Sequence, residues 1–366
     1  MRRSIVCLVA LISLLTGCGP SDPVRIGFIG GLTGRNADLG LTGRNGALLA
    51  VEQCNQAGGL LGRKVELSIQ DDAQSPEIAI QAVETLATSQ VAAIIGPMTS
   101  AIADAILPIT ERAGLVMVSP TVTATQFSGQ DDLFFRVVST TRDYARAAAR
   151  FHYQRQGLRR VAIGYDLRNQ AFSESTLNEF RMAFTELGGT IAIALPFESA
   201  TDTQFGNLVH ELLQAQPDAL MAIAGAVDTA RLAQQARKQA PELPLIATQW
   251  AASEQLIELG GRSVEGLHLA QLFNRNDPSP RYQAFRQDYR ARFKQEPGFA
   301  SIAAYDAARI VLEALNRPSE HRSLKEILLH NTFAGVQQPI RFDRFGDTER
   351  PVSITMIRDG QFIIVE

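Results

Sequence analysis

The sequence predicts an α/β protein with two lobes, each built around a mainly parallel β-sheet. Short apolar runs of strand length alternate with segments whose apolar residues recur at helical spacing, which is typical of parallel sheets covered by helices. This alternation begins at residue 24 and starts again at residue 142, so it forms two successive sets. The chain of 366 residues is also long enough for two domains of ordinary size.

The first set supplies four predicted strands and three predicted helices. The strands are apolar or alternate apolar with polar residues, and they cover 24–32, 64–70, 91–95 and 115–118. The helices cover 40–57, 76–89 and 100–112. Gly58-Gly59 is a typical signal for the end of the first helix, and Pro76 is typical of a helix start.

The second set repeats the same alternation and ends in further helices and a hairpin. Its predicted strands cover 160–165, 190–195, 219–224 and 245–248. Its predicted helices cover 142–156, 173–187, 203–215 and 229–240, and later helices cover 280–293, 299–316 and 324–330. Strands at 353–357 and 362–365 with Asp359-Gly360 between them predict a β-hairpin at the end of the chain.

The first eighteen residues have the order of a secretory signal. Arg2 and Arg3 are followed by an apolar run over 5–15, which is too short to span a bilayer as a helix. The ending Leu15-Thr16-Gly17-Cys18 resembles the lipobox of bacterial lipoproteins, in which the Cys is cleaved free and acylated. The resemblance implies a signal peptide over 1–17, lipidation at Cys18 and a lipidated linker over 18–23. The alternative is an ordinary signal peptide with an incidental Cys.

Composition and charge exclude several classes of function. The chain is 45% hydrophobic and 20% charged, an ordinary globular composition, and no later apolar run approaches membrane length. The net charge is −3, and loss of Arg2 and Arg3 with the signal leaves −5, which argues against a nucleic-acid partner. With Cys7 in the signal and Cys18 as the lipid site, Cys54 is left without a disulfide partner in the same chain.

The residues that follow the predicted strands differ between the two sets. In an open parallel sheet, ligands bind beyond the carboxyl ends of the strands. The first set offers small hydroxyls and helix starts there, which suit an anionic group such as a carboxylate: Thr99, Ser100, Thr121 and Thr123. The second set offers Phe172 and Trp250, which suit an apolar body. We therefore expect a small ligand clamped between two lobes.

Six short motifs carry a resemblance that covers essentially all of the chain after residue 23. In order along the chain they are IGFIGGLTG (26–34), NQAGGLLG (55–62), DDAQSP (71–76), IIGP (94–97), SP (119–120) and AYDA (304–307). Each motif is weak alone, but their joint order and spacing are specific. The chain resembles the type I periplasmic solute-binding proteins of ABC transporters, in the branched-chain amino acid branch.

That resemblance implies an architecture and a way of working. It implies two Rossmann-like three-layer lobes joined by three chain crossings, which we place near Val138, Leu272 and Gln338. Lobe 1 then comprises 24–138 and 273–338, and lobe 2 comprises 139–272 and 339–366. The lobes are expected to close like a hinge on an amino acid or a related small carboxylate, and the partner is an ABC transporter permease. A monomer at the membrane surface, periplasmic or cell-surface, with no cofactor and no metal is expected.

The family's ligand contacts fall on several of the residues named above. By the resemblance, Ser100 holds the ligand carboxylate, Thr121 and Thr123 supply a backbone carbonyl and a hydroxyl, and Phe172 packs on the ligand. Each residue also has a structural interpretation. Ser100 and Thr121 are equally suited to capping helices, Thr123 to a turn, and Phe172 to the core.

The sequence leaves the partner of a ligand ammonium open. Amino-acid binders of this family usually place a carboxylate after a late strand of the second lobe, and Trp250 stands near that position here. A buried ammonium without a carboxylate costs several kcal/mol. Either Asp228 or Glu174 therefore takes the role, or the ligand has no ammonium. Asp228 is equally suited to capping the helix that follows it, and Trp250 to the core or the cleft.

Two other functions remain to be compared with transport. An α/β enzyme is a distant alternative, because the glycines at 27, 30, 31 and 34 do not form G-x-G-x-x-G and the five His have no metal spacing. No P-loop and no G-x-S-x-G element occurs in the sequence. A sensor that uses the same clamp and reports to a receptor is the second alternative, and the fold cannot separate it from transport.

Overall fold

The computed structural model of the protein describes residues 22–35, 37–317 and 322–366 and confirms the two-lobe α/β fold. The proposed signal peptide and Cys18 lie outside the described residues. Two main sheets, one of five strands and one of seven, form the centres of the two lobes, and a small two-stranded sheet accompanies them.

Lobe 1 is built on a fully parallel five-stranded sheet in the order β2-β1-β3-β4-β5. Its strands are β1 (Val24–Gly30), β2 (Val65–Asp71), β3 (Ile94–Ile95), β4 (Met117–Ser119) and β5 (Phe134–Arg136). The helices between them are α1 (Ala37–Gln56), α2 (Pro76–Thr88) and α3 (Ser100–Arg112). β1, β3 and β4 are almost fully buried, as expected for strands covered by helices on both faces.

Lobe 2 is built on a seven-stranded sheet in the order β14-β13-β10-β9-β8-β6-β7. Its parallel strands are β6 (Arg160–Asp166), β7 (Thr190–Phe197), β8 (Ala219–Ile223), β9 (Leu245–Ala247) and β10 (His268–Gln271). Its helices are α4 (Thr141–Arg150), α5 (Gln170–Glu186), α6 (Phe205–Gln214), α7 (Ala226–Gln239) and α8 (Glu254–Gly260). A π-helical turn at Phe151–Arg155 extends α4.

The predicted hairpin at the end of the chain is confirmed. β13 (Ser353–Arg358) and β14 (Gln361–Ile364) pair antiparallel, and β13 pairs antiparallel with β10 at the sheet edge. Asp359 and Gly360 between them have φ values of 51° and 67°. Positive φ at both central residues is what a two-residue turn of this kind requires, and Asp-Gly supplies it.

Three late helices return to lobe 1. They are α9 (Pro280–Phe293), α10 (Phe299–Leu315) and α11 (Leu324–His330). α10 packs along α1 so closely that a Cβ on Gly46 would lie 2.0 Å from the Ser301 carbonyl oxygen. Glycine at residue 46 is therefore what allows the two helix backbones to approach each other.

The third crossing lies later in the chain than the sequence suggested. β11 (Thr332–Ala334) pairs with β12 (Pro339–Arg341), so Gln338 sits in a turn of the small sheet rather than at a crossing. Phe342 then packs edge-to-face on Phe135 of lobe 1, with ring centroids 5.1 Å apart. The chain joins the lobe 2 sheet at Ser353.

The elements that the sequence did not predict are short. β5, β11 and β12 have three residues each, β10 has four and α8 has seven. Segments of this length contain too few residues to show a period of 2 or 3.6, and their pairing depends on neighbours distant in the sequence.

Candidate functional site

The carboxyl ends of the parallel strands in both main sheets face one cleft between the lobes. The loop after β1 is fastened there by Asp71, whose side chain accepts hydrogen bonds from Leu32 N (2.7 Å), Thr33 Oγ1 (2.6 Å) and Ala73 N (2.8 Å). Burial acts to raise the pKa of Asp71, but these hydrogen bonds outweigh it and hold the pKa below its usual range. Asp71 is thus a structural residue that shapes the cleft loop.

On the lobe 1 side, hydroxyl groups surround the start of α3. Thr99 is the N-cap residue of α3 without a side-chain capping bond, and Ser100 Oγ accepts a hydrogen bond from Ala124 N (3.4 Å). Thr121 Oγ1 donates to the Met98 carbonyl (2.6 Å). Neither Ser100 nor Thr121 caps α3, so the capping interpretation of these two residues is wrong.

Thr123 stands apart from the other hydroxyls of lobe 1. Its side chain is 2% exposed, and its Oγ1 has no hydrogen-bond partner in the part of the chain that the structure describes. Its backbone carbonyl accepts a bond from Thr141 N (2.7 Å). A buried hydroxyl without a partner is unusual, because its desolvation is not compensated.

On the lobe 2 side, an aromatic pair faces the start of α3. The rings of Phe172, in the first turn of α5, and Trp250, after β9, meet edge-to-face with centroids 5.5 Å apart. Beside them lie two amides that the sequence did not single out. Asn169 Oδ1 accepts a hydrogen bond from Ala101 N at the start of α3 (3.0 Å), and Gln249 Nε2 is buried without a partner among the described residues.

These side chains enclose a small inner cavity between the lobes. Its lining residues come from both lobes and none of them is charged: Leu39, Met98, Thr99, Ser100, Thr121, Asn169, Phe172, Gln249, Trp250 and Phe299. Five of the seven residues expected at the site, Thr99, Ser100, Thr121, Phe172 and Trp250, therefore line the same cavity. Thr123 and Asp228 are not among the lining residues of this cavity.

Asp228 is paired with protein groups from both lobes. It does not cap α7, whose N-cap Gly225 has no side-chain bond. Its Oδ1 lies 2.7 Å from Nη2 and 3.2 Å from Nε of Arg35, which belongs to the loop after β1 in the opposite lobe. Its Oδ2 accepts a short hydrogen bond from Ser199 Oγ. Glu174 is exposed on α5, where its side chain accepts a hydrogen bond from Gln170.

A larger outer cavity adjoins the inner one and shares Leu39, Trp250 and Phe299 with it. Its charged lining is mostly acidic and consists of Asp38, Glu254, Glu258, Glu296 and Lys294. Asp38 lies on α1 and the pair Glu254 and Glu258 on α8, so like charges face each other across the cleft. Burial raises the pKa of Asp38, and the two glutamates raise it further.

Residues 23–361, which are nearly the whole chain, match the protein family described as "Periplasmic binding protein". The chain belongs to the periplasmic binding protein family. Members of this family bind solutes and do not catalyse reactions, so this periplasmic binding protein is not an enzyme. In its described ranges, no helix has the length and apolar character needed to cross a membrane.

Known proteins support the same assignment. The leucine-, isoleucine-, valine-, threonine- and alanine-binding protein of Pseudomonas aeruginosa is 25% identical over 332 residues, 89% of this chain and 87% of the relative. The leucine-binding protein LivK of Thermotoga maritima has a TM-score of 0.85 at 27% identity, covering 94% of this chain and 98% of that one. The fold is shared by a solute-binding protein of an ABC transporter from Rhodopseudomonas palustris BisB5, whose structure was solved in complex with 3,4-dihydroxybenzoic acid. Its TM-score is 0.83 at 21% identity, covering 94% of this chain and 97% of that one.

Proposed function

We propose that this protein captures a small carboxylate-bearing solute between its two lobes outside the cytoplasm and delivers it to an ABC transporter permease. The observation that carries this proposal is the inner cavity, which is lined by residues of both lobes and has a polar side and an aromatic side. Hydroxyls and the start of a helix lie on the lobe 1 side, and aromatic rings lie on the lobe 2 side.

The lobe 1 side suits the carboxylate of the ligand. The N-terminus of α3 carries the positive end of the helix dipole and backbone N–H groups that need acceptors. In the described conformation Asn169 of lobe 2 already accepts from one of them, Ala101 N. We expect the carboxylate to be held there by these N–H groups together with the hydroxyls of Ser100, Thr121 and Thr123.

The lobe 2 side suits the apolar body of the ligand. Phe172 and Trp250 are 4% and 8% exposed, so both rings are covered when the lobes meet. Apolar surface enclosed between such rings is removed from water when the ligand binds, which contributes about 25 cal/mol per Å². The P. aeruginosa relative is named for leucine, isoleucine, valine, threonine and alanine, the T. maritima protein is named for leucine, and the R. palustris protein holds an aromatic acid. The fold therefore accommodates both aliphatic and aromatic bodies.

A screen for ligands tests this proposal. Thermal shift over amino acids, 2-oxo acids, aliphatic acids and aromatic acids is expected to reveal a stabilising ligand, because a ligand that binds only the folded state raises stability by mass action. Trp250 is the single Trp in the chain, so its emission is expected to change in the same titration. A ligand proven by calorimetry that leaves the emission constant would place Trp250 outside the binding cleft. Tight binding only of solutes without a carboxylate would refute the carboxylate site.

The route to the membrane is a separate part of the proposal. We expect a monomer tethered through acylated Cys18, so that metabolic labelling with palmitate marks the wild-type protein and fails for Cys18→Ser. Label retained by Cys18→Ser would reject the anchor. Loss of uptake of the identified solute in a gene disruption supports delivery to a permease, whereas intact uptake supports sensing instead.

A further inference from the structure

Arg35 and Asp228 form an ion pair that connects the two lobes beside the cleft. Asp228 is completely buried and the Arg35 side chain is 22% exposed. One oxygen of Asp228 accepts both guanidinium contacts, and the other accepts from Ser199. A buried carboxylate needs such partners, because a buried charge without a counterion is neither solvated nor compensated. In the closed protein Asp228 thus has its counterion without a ligand.

The pair lies next to the residues that line the two cavities. Arg35 is in the loop that leads into Leu39, which lines both cavities. Ala226, at the start of the same helix as Asp228, lines the outer cavity. A cation supplied by lobe 1 therefore pairs with Asp228. The neighbouring buried carboxylate of lobe 2, Asp166, accepts hydrogen bonds from the backbone N–H groups of Arg168 and Ser199.

The inner cavity offers no charge to a second ligand group. In an α-amino acid the ammonium and the carboxylate are attached to the same carbon, so both must lie at the start of α3 if the carboxylate does. None of the ten residues that line the inner cavity is charged, and the acidic residues Asp38, Glu254 and Glu258 line only the outer one. An ammonium in the inner cavity would be buried without a counterion, at a cost of several kcal/mol.

Gln249 adds a donor in place of a counterion. Gln249 is 7% exposed, and its buried Nε2 has no acceptor among the residues described. An N–H group in this position matches an acceptor such as a keto or hydroxyl oxygen. Even with the amide turned over, Gln249 would present a neutral oxygen, which compensates a full positive charge only in part.

We propose that Arg35 replaces a ligand ammonium as the partner of Asp228, and that the protein therefore selects acids that have no ammonium next to their carboxylate. The inference rests on the proposed function, since it assumes capture of a carboxylate at the start of α3. The ligand class is 2-oxo, 2-hydroxy or unsubstituted carboxylic acids with an apolar body. Arg35 acts as a specificity-determining residue that does not need to touch the ligand.

Calorimetry on matched pairs of compounds tests the ligand class. Each pair differs at the carbon beside the carboxylate: leucine with 4-methyl-2-oxopentanoate, and phenylalanine with phenylpyruvate. The wild-type protein is expected to bind the oxo acid of at least one pair about 100-fold more tightly than its amino acid. Tighter binding of the amino acids would overturn the inference and leave the proposed function intact. Binding of no acid of either kind at millimolar concentration would refute the carboxylate site itself.

Substitution of Arg35 tests its role. Arg35→Gln leaves Asp228 without its cation, so the preference for oxo acids is expected to fall at least tenfold, and amino acids should raise the melting temperature of this variant more than that of the wild type. Arg292→Gln is the matched control, because Arg292 pairs with Glu52 on the exposed surface of the same lobe. The control should keep the wild-type preference. An unchanged preference in Arg35→Gln would overturn the role assigned to Arg35.

A double variant keeps the test decisive if Arg35→Gln folds poorly. Arg35→Gln combined with Asp228→Asn removes both charges of the pair, so Asp228 is not left as a carboxylate without its cation. This protein is expected to keep the preference for oxo acids, because the carboxylate that Arg35→Gln alone leaves without its cation is absent. Loss of the preference in the double variant would show that the ion pair acts through lobe closure alone, and this result would overturn the charge-based inference.

Discussion

Thr123 allows a prediction in which stability and ligand binding change in opposite directions. Its hydroxyl is buried and unpartnered among the described residues, whereas a methyl group in the same place has no hydrogen bond to lose. An unsatisfied buried polar group costs roughly 1–3 kcal/mol. Thr123→Val is therefore expected to raise the free energy of unfolding of the ligand-free protein by about 1 kcal/mol.

The same substitution is expected to weaken binding. If Thr123 donates to the ligand carboxylate, the lost bond is one to a charged group, worth about 1.5–3 kcal/mol. At about 1.4 kcal/mol per factor of ten, the dissociation constant should rise roughly 10- to 100-fold. Urea unfolding of the ligand-free protein measures the first change, and calorimetry with the ligand identified by the screen measures the second.

Thr110 is the matched control for Thr123. It is also a buried threonine of lobe 1, 1% exposed, but its Oγ1 donates to the Leu107 carbonyl at 3.0 Å. Thr110→Val loses a satisfied hydrogen bond, so it should destabilise the protein by about 0.5–1.5 kcal/mol and leave the dissociation constant unchanged. The reasoning is refuted if Thr123→Val destabilises the protein as Thr110→Val does, or if it binds the ligand with wild-type affinity.

Two further predictions concern stability. Gly46→Ala is expected to destabilise the protein by about 3 kcal/mol or more, because the new Cβ would lie 2.0 Å from the backbone oxygen of Ser301. Gly206→Ala is the control, because the nearest atom to its new Cβ is 3.6 Å away. In the same urea titration it should be neutral or stabilising by about 0.5 kcal/mol. Equal effects of the two substitutions would contradict the close helix approach. Burial lowers the pKa of His152 to about 4, with an opposing hydrogen bond to Gln156, so below pH 6.5 the unfolded chain binds a proton that the folded protein does not. Protonation of His152 should therefore remove up to about 3 kcal/mol of stability between about pH 6.5 and pH 4, which is measured as the difference in urea unfolding between the wild type and a His152→Gln variant. Equal pH dependence of the two proteins over this range would contradict the assignment.

The part of the site that the sequence predicted is the part fixed by single strands and helices. Thr99, Ser100 and Thr121 follow strands of the first set, and Phe172 and Trp250 follow strands of the second. Because parallel strands bring their carboxyl ends to one edge, position in the sequence was enough to place these five residues around a common cavity. Asn169 and Gln249 carry the same signal, since each also follows a strand closely and an amide can hydrogen-bond a ligand as a hydroxyl does.

The sequence by itself determined the alternation of strands and helices, the two lobes and the final hairpin, because these depend on apolar spacing and turn residues within short segments. Only the tertiary structure decided the electrostatics of the cleft. Arg35 and Asp228 are separated by 193 residues and belong to different lobes, so their contact exists through closure of the lobes and leaves no local pattern. The third crossing is of the same kind, because the pairing of β11 with β12 keeps the chain in the small sheet past Gln338.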